Sequence, residues 1–513
     1  HRTRPVQRLF NLESGEVREI FTEPFLDPSR FVWAHDGMGF YCRKAMASDS
    51  TEDYVSISHL WYFDMTREAL EPVTSIWKRG LGMGGGYHVA DNGILVTIAD
   101  GSRNRLAFIT RTSKGFSKRY VESPSSLQVR MQAARPGGKR IVYMISDAST
   151  IPMVMTAELS RRELKGEREL IKLNSAAKSR ILVQSKIVTW RGARGDDVEG
   201  ILYYPHNYEE GKQYPLMVSL HGGPAGADLD FFSERWSNYP HLLGGKGIAV
   251  LKVNYHGSGN FGLEWVESIK GHYYEYEVPD ILYGVDMLVE KGLADPDKLG
   301  IMGWSNGSIL AIAACLESDM FKVLCAGAGD VNWTSDYGNC AFGAGFDNAY
   351  FGGPPWEIPD VYIEKSPLFR MHTMKTPTLI MFGTKDTNVP TEQGWEHFRA
   401  MQQSGAAPVR FILFPGSGHG PTKLSHGKRK MHEELAWIDR YLLGEEKDVN
   451  EAFDETSPLA YELRKAEAAR SGRLLGEMVE STEEDAPEDI LAPEAAEFAA
   501  LPSVMVGRFE VTR

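Results

Sequence analysis

A largely parallel sheet covered by helices on both faces, an α/β fold, is predicted for the centre of this chain by three observations. Short, nearly continuous apolar runs recur there, as strands buried on both faces require. Segments with helical apolar spacing separate them, the alternation expected of crossover connections. Gly-rich turns bearing Ser, Asp and His follow the runs directly, at the carboxyl ends where the loops of a parallel sheet converge. The regions on either side differ. Residues 1–180 carry short β-rich runs, residues 181–444 hold the α/β pattern, residues 445–500 are acidic, and residues 501–513 turn apolar again.

In chain order, Leu216-Met217-Val218-Ser219-Leu220 is the first of these buried runs, and it ends in His221-Gly222-Gly223-Pro224. A His-Gly-Gly turn suits an oxyanion hole, because glycine lets a backbone N–H point into open space at a carbonyl oxygen. Ile248-Ala249-Val250-Leu251-Lys252-Val253 is a second strand, followed by Asn254-Tyr255-His256-Gly257-Ser258-Gly259. Asp280 to Lys291 has helical period, with Ile281, Leu282, Val285, Leu288 and Val289 on one face. Leu299-Gly300-Ile301-Met302 then leads into Gly303-Trp304-Ser305-Asn306-Gly307. A serine on a sharp strand-to-helix turn needs small residues two places before and after it. Taken alone, the pentapeptide is equally a Gly-rich loop.

Two further strands complete the pattern. Thr378-Leu379-Ile380-Met381-Phe382-Gly383 ends in Thr384-Lys385-Asp386-Thr387-Asn388-Val389-Pro390, and Arg410-Phe411-Ile412-Leu413-Phe414 runs into Pro415-Gly416-Ser417-Gly418-His419-Gly420. A helix around His432 to Leu443 should close this region. Ser305, Asp386 and His419 each follow a strand, in the chain order of an α/β-hydrolase. Singly, Asp386 reads as a turn-capping aspartate and His419 as a loop histidine. Together they predict a nucleophile, an orienting acid and a base.

The set His-Gly-Gly-Pro, Asn-Tyr-x-Gly-Ser-Gly, Gly-Trp-Ser-x-Gly, Gly-x-x-Asp-x-x-Val-Pro and Gly-His-Gly resembles the prolyl oligopeptidase family of serine peptidases, over about residues 185–444. The His-Gly-Gly-Pro form is most similar to its acylaminoacyl-peptidase and bacterial dipeptidyl-peptidase branches. The resemblance implies Ser305 as nucleophile, Asp386 as orienting acid and His419 as base, with the backbone N–H groups of Gly223 and Asn306 forming the oxyanion hole. Several positions depart from the family pattern. Asn306 stands where a tyrosine is usual, Ser308 where a glycine is common, and His256 where an arginine is usual. Tyr273-Tyr274-Glu275-Tyr276-Glu277 replaces a Gly-rich acidic loop. These changes bear on the pocket rather than on the reacting groups.

After the run Val323-Leu324-Cys325-Ala326, the aromatic residues Trp333, Tyr337, Phe342, Phe346 and Tyr350 alternate with glycines. With Tyr255 they are candidates for a substrate pocket that stacks on an apolar side chain. The alternative is that they pack this segment onto the sheet.

In residues 1–180 three turn segments precede short strands: Trp33-Ala34-His35-Asp36-Gly37, Ala90-Asp91-Asn92-Gly93 and Arg135-Pro136-Gly137-Gly138. Their spacing of roughly 45 to 55 residues is that of one four-stranded propeller blade. Members of the resembled family carry such a propeller before the hydrolase. A closed propeller at this period needs about 300 residues, so this stretch predicts an incomplete propeller of three or four blades. A different β-domain is the alternative.

Composition bounds the rest. The chain has 513 residues, enough for two or three domains, with ordinary hydrophobic (42%) and charged (24%) fractions. No apolar run approaches the ~18 residues that span a bilayer. Cys42, Cys315, Cys325 and Cys340 show no metal-ligand spacing, Cys315 and Cys325 read as buried small hydrophobes, and no cofactor or metal is implied. Residues 445–513 hold 18 acidic against 7 basic side chains, which is −11 of the chain's formal −13. The catalytic region is therefore nearly neutral, and its charge points to no nucleic-acid partner. The acidic stretch predicts a largely disordered linker, helical around Pro458 to Glu480. The ending Gly507-Arg508-Phe509-Glu510-Val511-Thr512 resembles the opening of formylglycine-generating-enzyme-like domains. With His1 at the start, the expectation is a piece cut at both ends. Compartment and oligomeric state stay open.

Three functions fit this reading. The first is a serine peptidase acting on short peptides. A carboxylesterase would use the same three residues, and a binding scaffold would need none of them.

Overall fold

A computed structural model describes residues 6–445, apart from residues 22–27, 50–53, 74–76, 85, 91–92, 124–127, 135–138, 161–162 and 174–181. The acidic stretch from residue 446 and the apolar ending at 501–513 lie outside the described residues. So do residues 91–92 and 135–138 of two turn segments named from the sequence.

The centre is one eight-stranded sheet. Numbered along the chain, its strands are β1 (Ser185–Arg191), β2 (Asp197–Tyr203), β3 (Tyr214–Leu220), β4 (Ala249–Asn254), β5 (Ala294–Trp304), β6 (Phe321–Gly327), β7 (Thr378–Gly383) and β8 (Val409–Phe414). They lie side by side in the order 1-2-4-3-5-6-7-8. Strand β2 pairs antiparallel with β1 and β4, while every pairing from β4 through β8 is parallel.

The period of two along each strand divides the core into two layers. Leu216, Val218 and Leu220 of β3, with Leu299 and Ile301 of β5, face the helices Glu277–Glu290 and Asn306–Glu317. Met217 and Met302 face the other way, toward Leu243 of Pro240–Gly245 and Met431, Trp437 and Ile438 of the last helix. Each Leu or Ile buried in these layers contributes about 1.5–3 kcal/mol of transfer free energy. That last helix runs Leu424–Ile438 and continues as a π turn to Leu443. It begins before the expected His432, because its first two turns are polar and basic on the sequence and only Gly427, Lys430 and Met431 of them are buried.

Three four-stranded antiparallel sheets precede the centre, each connected strand to next strand. The first runs from Ser29–Trp33 to Ala69–Pro72, the second from Tyr87–Ala90 to Gly115–Tyr120, and the third from Gln128–Ala134 to Glu163–Ile171. A two-stranded hairpin, Gln7–Phe10 with Val17–Ile20, lies ahead of them.

These sheets reach the central one through a few buried polar side chains. Asn260 Nδ2 donates to the carbonyls of Gly101 (2.6 Å) and Arg103 (2.8 Å), and its Oδ1 accepts from Met83 N–H (3.0 Å). Asp230 accepts from Ala148 N–H at 3.0 Å and pairs with Arg103 at 3.3 Å. Asn260 adjoins Gly259, whose N–H donates to the Gly226 carbonyl (2.7 Å) in the loop after β3. The N-terminal sheets therefore brace the turn that carries Gly222 and Gly223.

Candidate active site

Ser305 stands between the end of β5 and the helix Asn306–Glu317, with φ 58° and ψ −131°. A side chain rarely adopts this backbone region, and the cost is of order 1–3 kcal/mol. Close approach explains its neighbours. A Cβ on Gly303 would lie 2.2 Å from the Gly307 carbonyl carbon, and one on Gly307 would lie 2.2 Å from the Leu220 carbonyl oxygen. Backbone meets backbone at both places, so neither contact can relax by a side chain turning away. Ser305 N–H donates to the Gly327 carbonyl (2.9 Å) at the end of β6, which fixes the turn to the sheet.

Three predicted residues meet here. His419 Nε2 lies 2.9 Å from Ser305 Oγ, and His419 Nδ1 lies 2.9 Å and 3.1 Å from the two oxygens of Asp386. Asp386 is buried and its Oδ1 also accepts from the N–H groups of Asn388 (3.0 Å) and Val389 (3.2 Å). The loop that carries His419 is tied on both sides. Trp304 Nε1 donates to the His419 carbonyl (2.8 Å), and Lys385 N–H donates to the Ser417 carbonyl (2.9 Å).

Gly222 lies against the serine, since a Cβ built on it would come 3.2 Å from Ser305 Cβ. Gly223 follows with φ +142°, a conformation suited to glycine. Among the described residues, nothing accepts a hydrogen bond from the backbone N–H of Gly223 or of Asn306. Asn306 opens its helix, where the first N–H groups have no intrahelical acceptor and carry the positive end of the helix dipole.

The aromatic candidates divide. Trp333, Phe346 and Tyr350 are buried together with Tyr273, Phe351 and Tyr362, so they pack the segment between β6 and β7 rather than line open space. The cause is mutual. Trp333 stacks on Phe346 (5.8 Å between centroids), and its Nε1 donates to the Tyr274 hydroxyl (3.0 Å). Tyr255 is likewise fully buried. Phe342 is 40% exposed, and Tyr337, half-buried, lies edge-on to the exposed Trp356.

Three acids beside the site, Asp330, Asp336 and Asp347, are not marked by any motif in the sequence, and two histidines that the sequence does mark take places next to it. Asp330, Asp336 and Asp347 are buried beside the segment, with carboxylate oxygens that have no partner among the described residues. Burial pushes Asp347 up to about 8 and Asp336 up to about 6. Asp330 is held well above the usual carboxylate range, first by burial and then by Asp336, Asp347 and Asp386. His221 is pushed down by burial, with Nε2 3.0 Å from Ser258 Oγ. His256 stacks on Trp265 (3.9 Å) and sets Nδ1 2.6 Å from Asp280, so a histidine–aspartate pair occupies the place where the resembled family uses arginine. Pairs such as Asp330 with Asp336 lie on different local elements, and no short motif marks them. No group of metal-ligating side chains occurs among the described residues.

A model of the prolyl oligopeptidase family matches residues 235–445. The acylamino-acid-releasing enzyme of Sus scrofa is 30% identical over 258 residues, which are 48% of this chain and 34% of that protein. Dipeptidyl-peptidase 5 of Porphyromonas endodontalis is 29% identical over 245 residues, 47% of this chain and 35% of that protein. The matched region thus spans about a third of the length of these curated relatives. Among solved structures, Pyrococcus horikoshii acylaminoacyl peptidase superposes with a TM-score of 0.72 at 19% identity, covering 88% of this chain and 68% of that one. At that identity the likeness is one of fold, and it extends through the N-terminal sheets. By sequence, the chain carries a domain of the prolyl oligopeptidase family of serine peptidases.

Proposed function

We propose that this chain is a serine peptidase that hydrolyses short peptides through an acyl-enzyme intermediate, with residues 181–444 as its catalytic domain. The observation that carries the reading is the row Asp386–His419–Ser305, hydrogen-bonded end to end at a strained turn. In this mechanism Ser305 Oγ attacks the substrate carbonyl carbon while His419 Nε2 takes its proton. Asp386 holds the Nδ1–H tautomer and stabilises the imidazolium that forms. The oxyanion receives hydrogen bonds from the N–H groups of Gly223 and Asn306. Each such donor accounts for about a hundredfold or more in turnover. His419 then returns the proton to the leaving amine, and water repeats the sequence on the acyl-enzyme.

The three N-terminal sheets have the strand order of propeller blades, and their role in this reading is to limit access to the turn they brace. Of the aromatic residues named from the sequence, Phe342 and Tyr337 keep open surface and are assigned to substrate contact. Relatives named for releasing acylamino acids and dipeptides point to cleavage near a peptide's N-terminus.

Initial rates on acyl-aminoacyl anilides, X-Pro anilides and p-nitrophenyl esters test this, with Ser305→Ala as control. Anilide hydrolysis that vanishes in the variant is expected. Hydrolysis of esters alone would replace the peptidase by a carboxylesterase, and no hydrolysis at all would leave a binding scaffold.

A further inference from the structure

Asn306 stands where a tyrosine is usual in the resembled family, and its side chain does not face open space. Tyr273 Oη donates to Asn306 Oδ1. Asn306 Nδ2 donates to Tyr255 Oη (3.1 Å), and Tyr255 Oη donates to the His221 carbonyl (2.6 Å). All three side chains are buried. The row therefore runs from the loop before the helix Glu277–Glu290, through the first residue of the helix after Ser305, to the turn after β3. Those last two places carry the two N–H groups assigned to the oxyanion.

Tyr273 is itself held in place. Its ring meets Trp333 (5.6 Å), Tyr350 (5.5 Å) and Phe351 (5.7 Å). Burial raises its hydroxyl well above the ordinary range, so it stays a proton donor. A phenol placed by packing thus fixes the amide plane of Asn306, and the amide fixes Tyr255. An oxyanion hole works through donors set before the charge develops, and a displacement of about 1 Å at such a site costs on the order of a hundredfold in rate.

On the reading of Ser305 as nucleophile, we infer that Tyr273 is a positioning residue for the oxyanion hole, acting through the Asn306 side chain. It touches no reacting atom. The two unusual features of this sequence, Asn306 after the nucleophile and the Tyr273–Glu277 stretch, are then two halves of one device.

The test is a double-mutant cycle of Tyr273→Phe and Asn306→Ala, with steady-state kinetics on the best anilide substrate. The phenylalanine keeps the ring packing and removes only the hydroxyl, while Asn306→Ala keeps the backbone N–H. Tyr273→Phe is expected to lower kcat about tenfold and leave KM within about twofold, since the interaction strengthens only with the developing charge. The double variant should match Asn306→Ala, because the Tyr273 hydroxyl meets the site at the Asn306 amide. A peptide boronic acid, which forms a tetrahedral adduct, should lose affinity for Tyr273→Phe by the same factor as kcat.

Unchanged kcat in Tyr273→Phe, multiplicative losses in the cycle, or a loss confined to KM would overturn the inference. Misfolding of Tyr273→Phe leaves Asn306→Ala to decide alone, and unchanged kcat there overturns it as well. If wild-type protein cleaves nothing in a Ser305-dependent way, the peptidase reading fails and the inference falls with it, a result distinct from an active wild type with an unaffected Tyr273→Phe.

Discussion

Gly307→Ala separates a glycine required by close approach from one that merely sits in a loop. The added Cβ would lie 2.2 Å from the Leu220 carbonyl oxygen and 2.7 Å from the His221 carbonyl oxygen, both backbone atoms. Ordinary contact begins near 3.4 Å, so the end of β3 or the start of the helix Asn306–Glu317 must move by about 1 Å. Overpacking of this kind costs typically 1–3 kcal/mol of stability. Its effect on catalysis should be larger, because Leu220 and His221 lead directly into Gly222 and Gly223, and a shift of ~1 Å at the oxyanion donors costs on the order of a hundredfold. Gly300→Ala is the control. Its Cβ would meet Met217 Cε and Val323 Cγ1, both at 2.7 Å, and these are side-chain atoms of the neighbouring strands rather than the backbone that leads to the oxyanion donors. Thermal midpoint and kcat/KM are measured for both variants. Gly307→Ala is expected to lose about a hundredfold in kcat/KM, and Gly300→Ala less than about threefold at a similar loss of stability. Equal activity losses in the two variants would refute the reasoning.

Asn260→Gly keeps a residue that tolerates the φ of 73° there but deletes three hydrogen bonds to the N-terminal sheets. It should cost about 2–4 kcal/mol, counting about 1 kcal/mol per bond, read as a lower thermal midpoint; a midpoint equal to wild type would show that these bonds do not join the two parts. Asp347, whose carboxyl burial pushes from the ordinary aspartate value near 3.8 up to about 8 when folded, holds a proton that the unfolded chain releases between about pH 4 and pH 8. Stability from this group is fully present below about pH 4 and is lost as pH rises through about 8, at up to about 1.4 kcal/mol per pH unit. The thermal midpoint should fall over that window less steeply in Asp347→Asn than in wild type, and parallel slopes would contradict the assignment. Trp304→Phe removes the donor to the His419 carbonyl and should lower kcat about threefold to tenfold by loosening the base; kinetics identical to wild type would mean that the loop is held without it.

Much of the sheet was legible in the sequence, because buried parallel strands write themselves as unbroken apolar runs. Leu216–Leu220, Ile301–Met302 and Thr378–Gly383 lie in strands where those runs stand. The row of Ser305, His419 and Asp386 could be anticipated because each residue follows a strand end, and topology then brings strand ends together. The pocket could not be anticipated in the same way. Trp333 and Tyr350 carry the same aromatic signal whether they face a ligand or each other, and packing decided for each other. Tyr273 and Asn306 are 33 residues apart, and neither local pattern mentions the other. The buried acids were hidden for a related reason. Asp336 and Asp347 look like ordinary helix-surface residues on the sequence, and only the fold places them away from water.

The most direct measurement is intact-mass and peptide-level detection of a fluorophosphonate adduct on the purified chain. A single adduct on Ser305 is expected, formed quickly in wild type, absent in Ser305→Ala and slowed by orders of magnitude in His419→Ala. No adduct, or one that persists in Ser305→Ala, would contradict Ser305 as the nucleophile.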